Sequence, residues 1–376
     1  MGQLVVLVVL LSAAVACDSV TPPSDYTAYP QTIGGNSQPI VGDFIGPRTS
    51  LRPPVASEGD EIIFYNPAGT TSAVWLGKKG ENFPDDNTTW SIEKQTWSTP
   101  SNAKPIVGNF AGDLHQDIFW YRSGAAPDLL WVGGVDAFPS QVVTFAVGAI
   151  YQPFMVQTNS YDQIFWYAPG TAADSLWNFA DNGSGAATPT PQTVNGTFKP
   201  IVGHFDPVST GRNDILWYAP GAAADQFWAG GTRTGWSRKT AMTVGGNYDP
   251  VVIGTNRGDI PRDGILWWAS GSASESVWVS NSRTLFACKK SVNRSEDAKW
   301  VNGGLLMSDG RQIGASYRAD GPDVCTGSLQ IGIGPDGPAG ATPYVGDFFG
   351  DSGHSSYLWY GPGDVADSLW VQNYFF

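Results

Sequence analysis

Pro200-Ile201-Val202-Gly203-His204-Phe205, then Asp214-Ile215-Leu216-Trp217-Tyr218-Ala219-Pro220-Gly221, then Asp225-Gln226-Phe227-Trp228 make up one unit of a pattern that recurs along the chain. Its β-branched and aromatic runs suit pleated strands, and Ala219-Pro220-Gly221 is turn chemistry. The unit therefore reads as strand, loop, strand, tight turn, strand. Other copies of its opening phrase begin at Pro39, Pro105, Pro153, Pro250 and Pro343. Successive starts lie 66, 48, 47, 50 and 93 residues apart, and the last gap is about two units long. A worn copy is expected to open near Lys299, with Trp300-Val301-Asn302-Gly303, Ile313 to Tyr317 and Asp323 as its remains. Seven units of about 47 residues have the period of propeller blades.

The second strand reads Ile62-Ile63-Phe64-Tyr65, Ile118-Phe119-Trp120-Tyr121, Ile164-Phe165-Trp166-Tyr167, Ile265-Leu266-Trp267-Trp268 and Tyr357-Leu358-Trp359-Tyr360 in the other copies. A strand apolar on both faces must be covered on both, which stacked blades achieve and a sandwich does not. The third strand ends in Trp75, Trp131, Trp177, Trp228, Trp278 or Trp370, so 12 of the 16 Trp fall in the repeated motifs. Packing between blades is their expected use, with stacking on a ligand as the alternative.

The chain ends argue for closure. Pro191-Gln192-Thr193-Val194-Asn195-Gly196 reads as a fourth strand between two units, and Pro30-Gln31-Thr32-Ile33-Gly34-Gly35 repeats the phrase near the N-terminus. The last unit has only Val371 to Phe376 beyond its third strand. The expected fold is all-β: a seven-bladed β-propeller over residues 29–376, with the N-terminal strand completing the last blade and removing two exposed edges.

A formal charge of -13 opposes phosphate backbones and anionic lipid, which excludes nucleic acid as a partner. Leu4 to Ala16 is apolar, uncharged and too short to span a bilayer, so residues 1–16 read as a signal peptide and 17–28 as a polar tether. Ala14-Val15-Ala16-Cys17 resembles a bacterial lipobox, which would make Cys17 a lipidated anchor and the protein extracytoplasmic. The same residues fit an ordinary signal-peptidase site, so simple secretion is the alternative. Cys288 and Cys325 then remain as an even pair for a disulfide in an oxidising compartment.

An acidic residue sits three before the terminal Trp at Asp128, Asp174, Asp225, Glu275 and Asp367. Copies spread around a ring are too far apart for joint chemistry, so each is expected to accept backbone N–H bonds in its own hairpin. His115, His204 and His354 fall in different units and cannot form one zinc site. The sequence holds neither a Gly-x-Ser-x-Gly elbow nor a phosphate loop. The stretch from Trp75 to Pro105 is longer than its counterparts, and Lys78, Lys79, Trp90 and Trp97 within it are candidate ligand-binding residues.

With Gly-Asp-Phe followed by Asp-Ile-Leu-Trp-Tyr, the chain resembles the FG-GAP/VCBS-type repeat propellers, a group with integrin-like propellers and some fungal lectins. The resemblance covers residues 29 to 376. It implies optional calcium in the loop between the first two strands, where hard oxygens alternate. Matching positions are Asn109, Asp113 and Asp117 in the second unit, with Ala111 replacing one ligand, and Asp347 and Asp351 in the last. The fourth unit, from His204-Phe205-Asp206-Pro207, has lost that spacing. No cofactor is required. The resemblance and the aromatic supply point to a monomeric, non-catalytic binding module for a glycan or a protein. The alternatives are a structural surface protein and a carbohydrate-active enzyme working in the axial channel, for which no acid–base pair can be picked.

Overall fold

The computed structural model describes residues 26–45, 59–78, 91–255, 262–318 and 328–372. From these ranges, 34, 113–114, 125, 135–137, 159–160, 181–183, 209–211, 269–274, 293–297, 302–303, 308–310, 337–340, 347, 349–355, 362 and 364–366 are excepted. Among the described residues the fold is all-β, without a helix. Signal peptide, Cys17, Cys325, Lys79, Trp90, Asp113, Asp347 and Asp351 all lie outside them.

Small antiparallel sheets follow one another along the chain. The first unit is β2 (Gln38–Gly42), β3 (Glu61–Tyr65), β4 (Thr71–Lys78) and β5 (Ser91–Ser98). The second is β6 (Lys104–Gly108), β7 (Asp117–Tyr121), β8 (Asp128–Val132) and β9 (Gln141–Phe145). The third is β10 (Gln152–Gln157), β11 (Asp162–Tyr167), β12 (Asp174–Phe179) and β13 (Ala187–Gln192). The fourth is β14 (Lys199–Gly203), β15 (Asp214–Tyr218), β16 (Asp225–Thr232) and β17 (Gly235–Met242). In each, the strands pair in chain order.

The last unit takes its fourth strand from the other end of the chain. Here β26 (Thr342–Gly346), β27 (Ser356–Tyr360) and β28 (Asp367–Gln372) are completed by β1 (Tyr26–Gln31). The register sets Gln31 opposite Asp367, as Gln192 stands opposite Asp174 in the third unit. The two Pro-Gln-Thr phrases thus occupy equivalent places. Strand β1 begins at Tyr26, three residues inside the expected tether, because its pairing with β28 already starts there.

The worn copy departs from expectation. Strands β22 (Ala298–Val301), β23 (Gly304–Met307), β24 (Arg311–Arg318) and β25 (Ser328–Asp336) do form. They do not make a separate sheet. They join β18 (Asp249–Thr255), β19 (Arg262–Trp268), β20 (Glu275–Val279) and β21 (Cys288–Val292) in one eight-stranded sheet. The join is a short parallel pairing of Gly254 and Thr255 with Ser316 and Tyr317. Those two residues extend β18 past the point where β6 and β14 stop, leaving edge groups that β24 takes up. Residues 298–336 also lack the adjacent aromatic pair (Phe-Tyr, Trp-Tyr or Trp-Trp) that ends the second strand of the other units.

Consecutive units share their cores. The first and second pack through Ile63, Tyr65, Ile118 and Trp120, and the second and third through Phe119, Tyr121, Ile164 and Trp166. The third and fourth, and then the fourth and fifth, repeat this. The last unit packs on the first through Leu358, Tyr360, Leu369, Ile62 and Phe64. An aromatic ladder runs across these junctions. The second-strand Tyr of one unit meets the aromatic ring of the next at 4.9 Å (Tyr65–Trp120), 5.2 Å (Tyr121–Trp166), 5.0 Å (Tyr167–Trp217) and 5.1 Å (Tyr218–Trp267). Tyr360 meets Phe64 at 6.1 Å. Each such pair contributes about 0.5–1.5 kcal/mol beyond the area it buries.

Candidate functional site

Most polar groups that looked available for chemistry hold up the scaffold. Asp117, fully buried at the head of β7, accepts from the amides of Phe110 (2.6 Å), Ala111 (2.7 Å) and Gly133 (2.8 Å). Asp214 does the same for Phe205, Asp206 and Gly230. Glu61 stands at this place in the first unit and accepts from Phe44 and Ile45. Burial pushes its carboxyl up to about 8, helped by Asp43 and Asp60 and opposed by the two amides. In the third unit Gln163 takes the place, bonded to Thr158 and Asn178.

The third-strand acids cap their hairpins as expected, and each does more. One oxygen of Asp128, Asp174, Asp225 and Asp367 accepts from the turn amide of Arg122, Ala168, Ala219 and Gly361. The other accepts from the chain after the fourth strand, at Val147, Val194, Val244 and Ile33. Burial raises the Asp174 carboxyl against these two donors. The side chain of Glu275 lies outside the described residues. The second-strand Tyr closes the same loop from the opposite side. Tyr218 Oη donates to Gly246 O (2.7 Å) and accepts from Tyr248 N (2.8 Å), and Tyr65, Tyr121, Tyr167 and Tyr360 repeat the bracket.

Neighbouring units are stitched by a seam that sequence reading missed. The residue two before the second-strand Ile donates its amide to a carbonyl of the preceding unit. Its side chain then accepts that same residue's amide. The pairs are Gln116 with Asp43, Asp162 with Asn109, Asn213 with Gln157 and Asp263 with His204. At the last seam His204 Nδ1 also lies 3.6 Å from Asp263 Oδ2, and bonding to that carboxylate raises the imidazole's proton affinity. His204 and His115 sit in separate units; His354 lies outside the described residues.

Of the expected calcium ligands, Asn109 and Asp117 fall within this scaffold. Asn109 Oδ1 accepts from Gly112 N at 2.8 Å, and the oxygens of Asp117 are turned toward three amides. Among the described residues no three His, Cys, Asp or Glu side chains gather as a metal centre. Of the expected ligand-binding residues, Trp97 is half-buried, bonds Gln95 Oε1 (3.1 Å) and packs 5.2 Å from Phe138. The side chain of Lys78, like all of Lys79 and Trp90, lies outside the described residues. Cys288 is disulfide-bonded, to a partner outside the described residues.

An open polar cleft lies in the fourth unit. It measures about 320 Å³ and is lined by Asp206, Val208, Arg212, Gly230, Thr232, Ser237 and Arg238. Two chain features shape it: the loop after β14 and the tight β16–β17 hairpin, paired through Thr232 and Gly235. Gly230 has φ +67°, and a Cβ there would collide with Ser237 Oγ. Asp206 is buried where the first and second units have Ile45 and Ala111. Its Oδ1 holds Arg238 Nη2 at 3.1 Å, while the Arg238 side chain stays 50% exposed. Arg212 Nη1 donates to Gly231 O at 3.4 Å. Two guanidinium groups and two hydroxyls therefore meet in one recess. The one available signal was the lost loop spacing at Asp206, together with five of the chain's 21 Lys and Arg between residues 199 and 239.

No protein-family model matches the chain, and no curated protein matches it.

Proposed function

We propose that the chain is a seven-bladed propeller, closed by β1 on β26–β28, and that it is a non-catalytic binding module outside the cytoplasm whose ligand is a glycan. Closure is supported by the shared core of the first and last units and by the capping of Ile33 by Asp367. The observation that carries the binding reading is the cleft of the fourth unit, a polar recess in a molecule whose repeated carboxylates are turned inward onto amides. Acid–base catalysis needs two groups converging on a reacting bond, and capped carboxylates dispersed over separate units do not supply them. Lipid on Cys17 anchors the module, and Cys288–Cys325 is its disulfide.

A glycan array probed with the exported protein tests this. Dose-dependent binding that free sugar competes away is expected. Cleavage of a bound glycan would overturn the non-catalytic reading, and silence across the array would leave a protein as the ligand. Fractionation beforehand should find the protein with membranes, and its Cys17→Ala variant in the soluble exported fraction.

A further inference from the structure

The cleft has a charge of its own. In a chain of net charge -13, an anion is repelled unless cations are gathered locally. Of the fourth unit's cations, Lys239 lies over the Trp228 ring at 3.5 Å and Lys199 pairs with Asp249 at 2.9 Å. Arg212 and Arg238 instead line the recess. Arg238 is held from beneath by a buried carboxylate through one nitrogen. A guanidinium carries five N–H donors in a rigid fork, so that grip orients the group and leaves donors for a second oxyanion.

The rest of the lining suits a sugar. Ser237 Oγ donates to Ala229 O (3.2 Å) and keeps its lone pairs for a ligand hydroxyl, while Thr232 Oγ1 donates to Gly235 O (2.8 Å), accepts from Thr234 N (3.3 Å) and shares its remaining lone pair with the Thr234 hydroxyl (3.3 Å). Val208, 74% exposed, offers an apolar lip. A recess of about 320 Å³ lies at the small end of the roughly 300–1,000 Å³ range of ligand sites, more than a lone oxyanion fills.

We infer that this cleft binds an acidic sugar, its carboxylate or sulfate held between Arg212 and Arg238 and a hydroxyl reaching Ser237. The inference rests on the glycan-binding reading and narrows it to one ligand class and one unit. The aromatic ladder takes no part.

Calorimetric titration of the whole protein with three probes tests it: a hexuronate oligosaccharide, the same oligosaccharide with its carboxyls reduced to alcohols, and a sulfated oligosaccharide of similar length. Binding of at least one acidic probe is expected, with at least tenfold weaker binding of the reduced one. Preference between the first and third identifies the oxyanion. Arg212→Gln should weaken acidic binding tenfold or more. Since Arg238→Gln also removes the guanidinium paired with Asp206, Arg238→Lys is the companion variant: it keeps the charge and loses the fork. Equal binding of acidic and reduced probes, or unchanged binding by both variants, overturns the inference while the glycan reading stands. Failure of all three probes also overturns it, and the array then separates the cases, since hits on neutral glycans preserve the wider reading and silence removes both.

Discussion

The fourth unit and the last unit are the same object built two ways. In one, Asp225 caps Ala219 and Val244, and Tyr218 brackets Gly246 and Tyr248. In the other, Asp367 caps Gly361 and Ile33, and Tyr360 brackets Gly35 and Ser37. The second cap spans 19 residues in the first case and 334 in the second. Geometry and partner chemistry are alike; only the chain between the partners differs. On loop-closure entropy alone that ratio is about four doublings, or roughly 2.5 kcal/mol against the last unit. Its closing contacts join segments from opposite ends of the sequence, so they hold only while the sheets in between keep those segments together.

Removing the long-range half should have the largest effect. A chain beginning at Gln38 lacks β1, Gly35 and Ser37 and leaves Asp367 and Tyr360 without their distant partners. Relative to a chain beginning at Tyr26, a loss on the order of 4 kcal/mol or more is expected in denaturant unfolding. A synthetic peptide of residues 26–37 added in trans should restore part of it. Equal midpoints for the two chains would show that the last unit stands without β1.

Next come the caps themselves. Asp225→Ala and Asp367→Ala each strand two amides, so losses of about 2–4 kcal/mol are expected from both. If the comparison holds, the two losses are similar, because the same two bonds go. An Asp367 variant that unfolds like the parent, beside a crippled Asp225 variant, would break the equivalence.

The smallest expected effects are those of Tyr218→Phe and Tyr360→Phe, about 0.5–1.5 kcal/mol each, since one hydroxyl is lost and the ring stays packed. Amide exchange sharpens this pair. Tyr360→Phe should speed exchange at Ser37, and Tyr218→Phe only at Tyr248.

Strands and capping acids were legible because each is written in residue types with one use. An Ile-aromatic-Trp-Tyr run has no place on a wet face, and an Asp three before Trp reads as a turn acceptor. The Pro-Gln-Thr phrase was legible because it occurs twice. The seams were not, since Gln116, Asp162, Asn213 and Asp263 share only the ability to accept a hydrogen bond. Nor was the cleft: Arg212 and Arg238 meet only because the β16–β17 hairpin turns back within two residues. The eight-stranded sheet escaped for a third reason, since parallel pairing at Gly254 and Thr255 uses backbone groups and leaves no side-chain mark.

Those seams bear on how such a chain can change length. Each is half side chain and half main chain, and the main-chain half is the same at all four of these junctions. Any acceptor of suitable reach at the start of one second strand can therefore grip whichever unit precedes it. A block cut from Pro105 to just before Pro153 would carry its own grip forward and present an ordinary amide and carbonyl behind. Duplication or excision of whole blocks thus leaves joints that still fit, and such a gene can gain or lose a module in one recombination step without inventing a new surface.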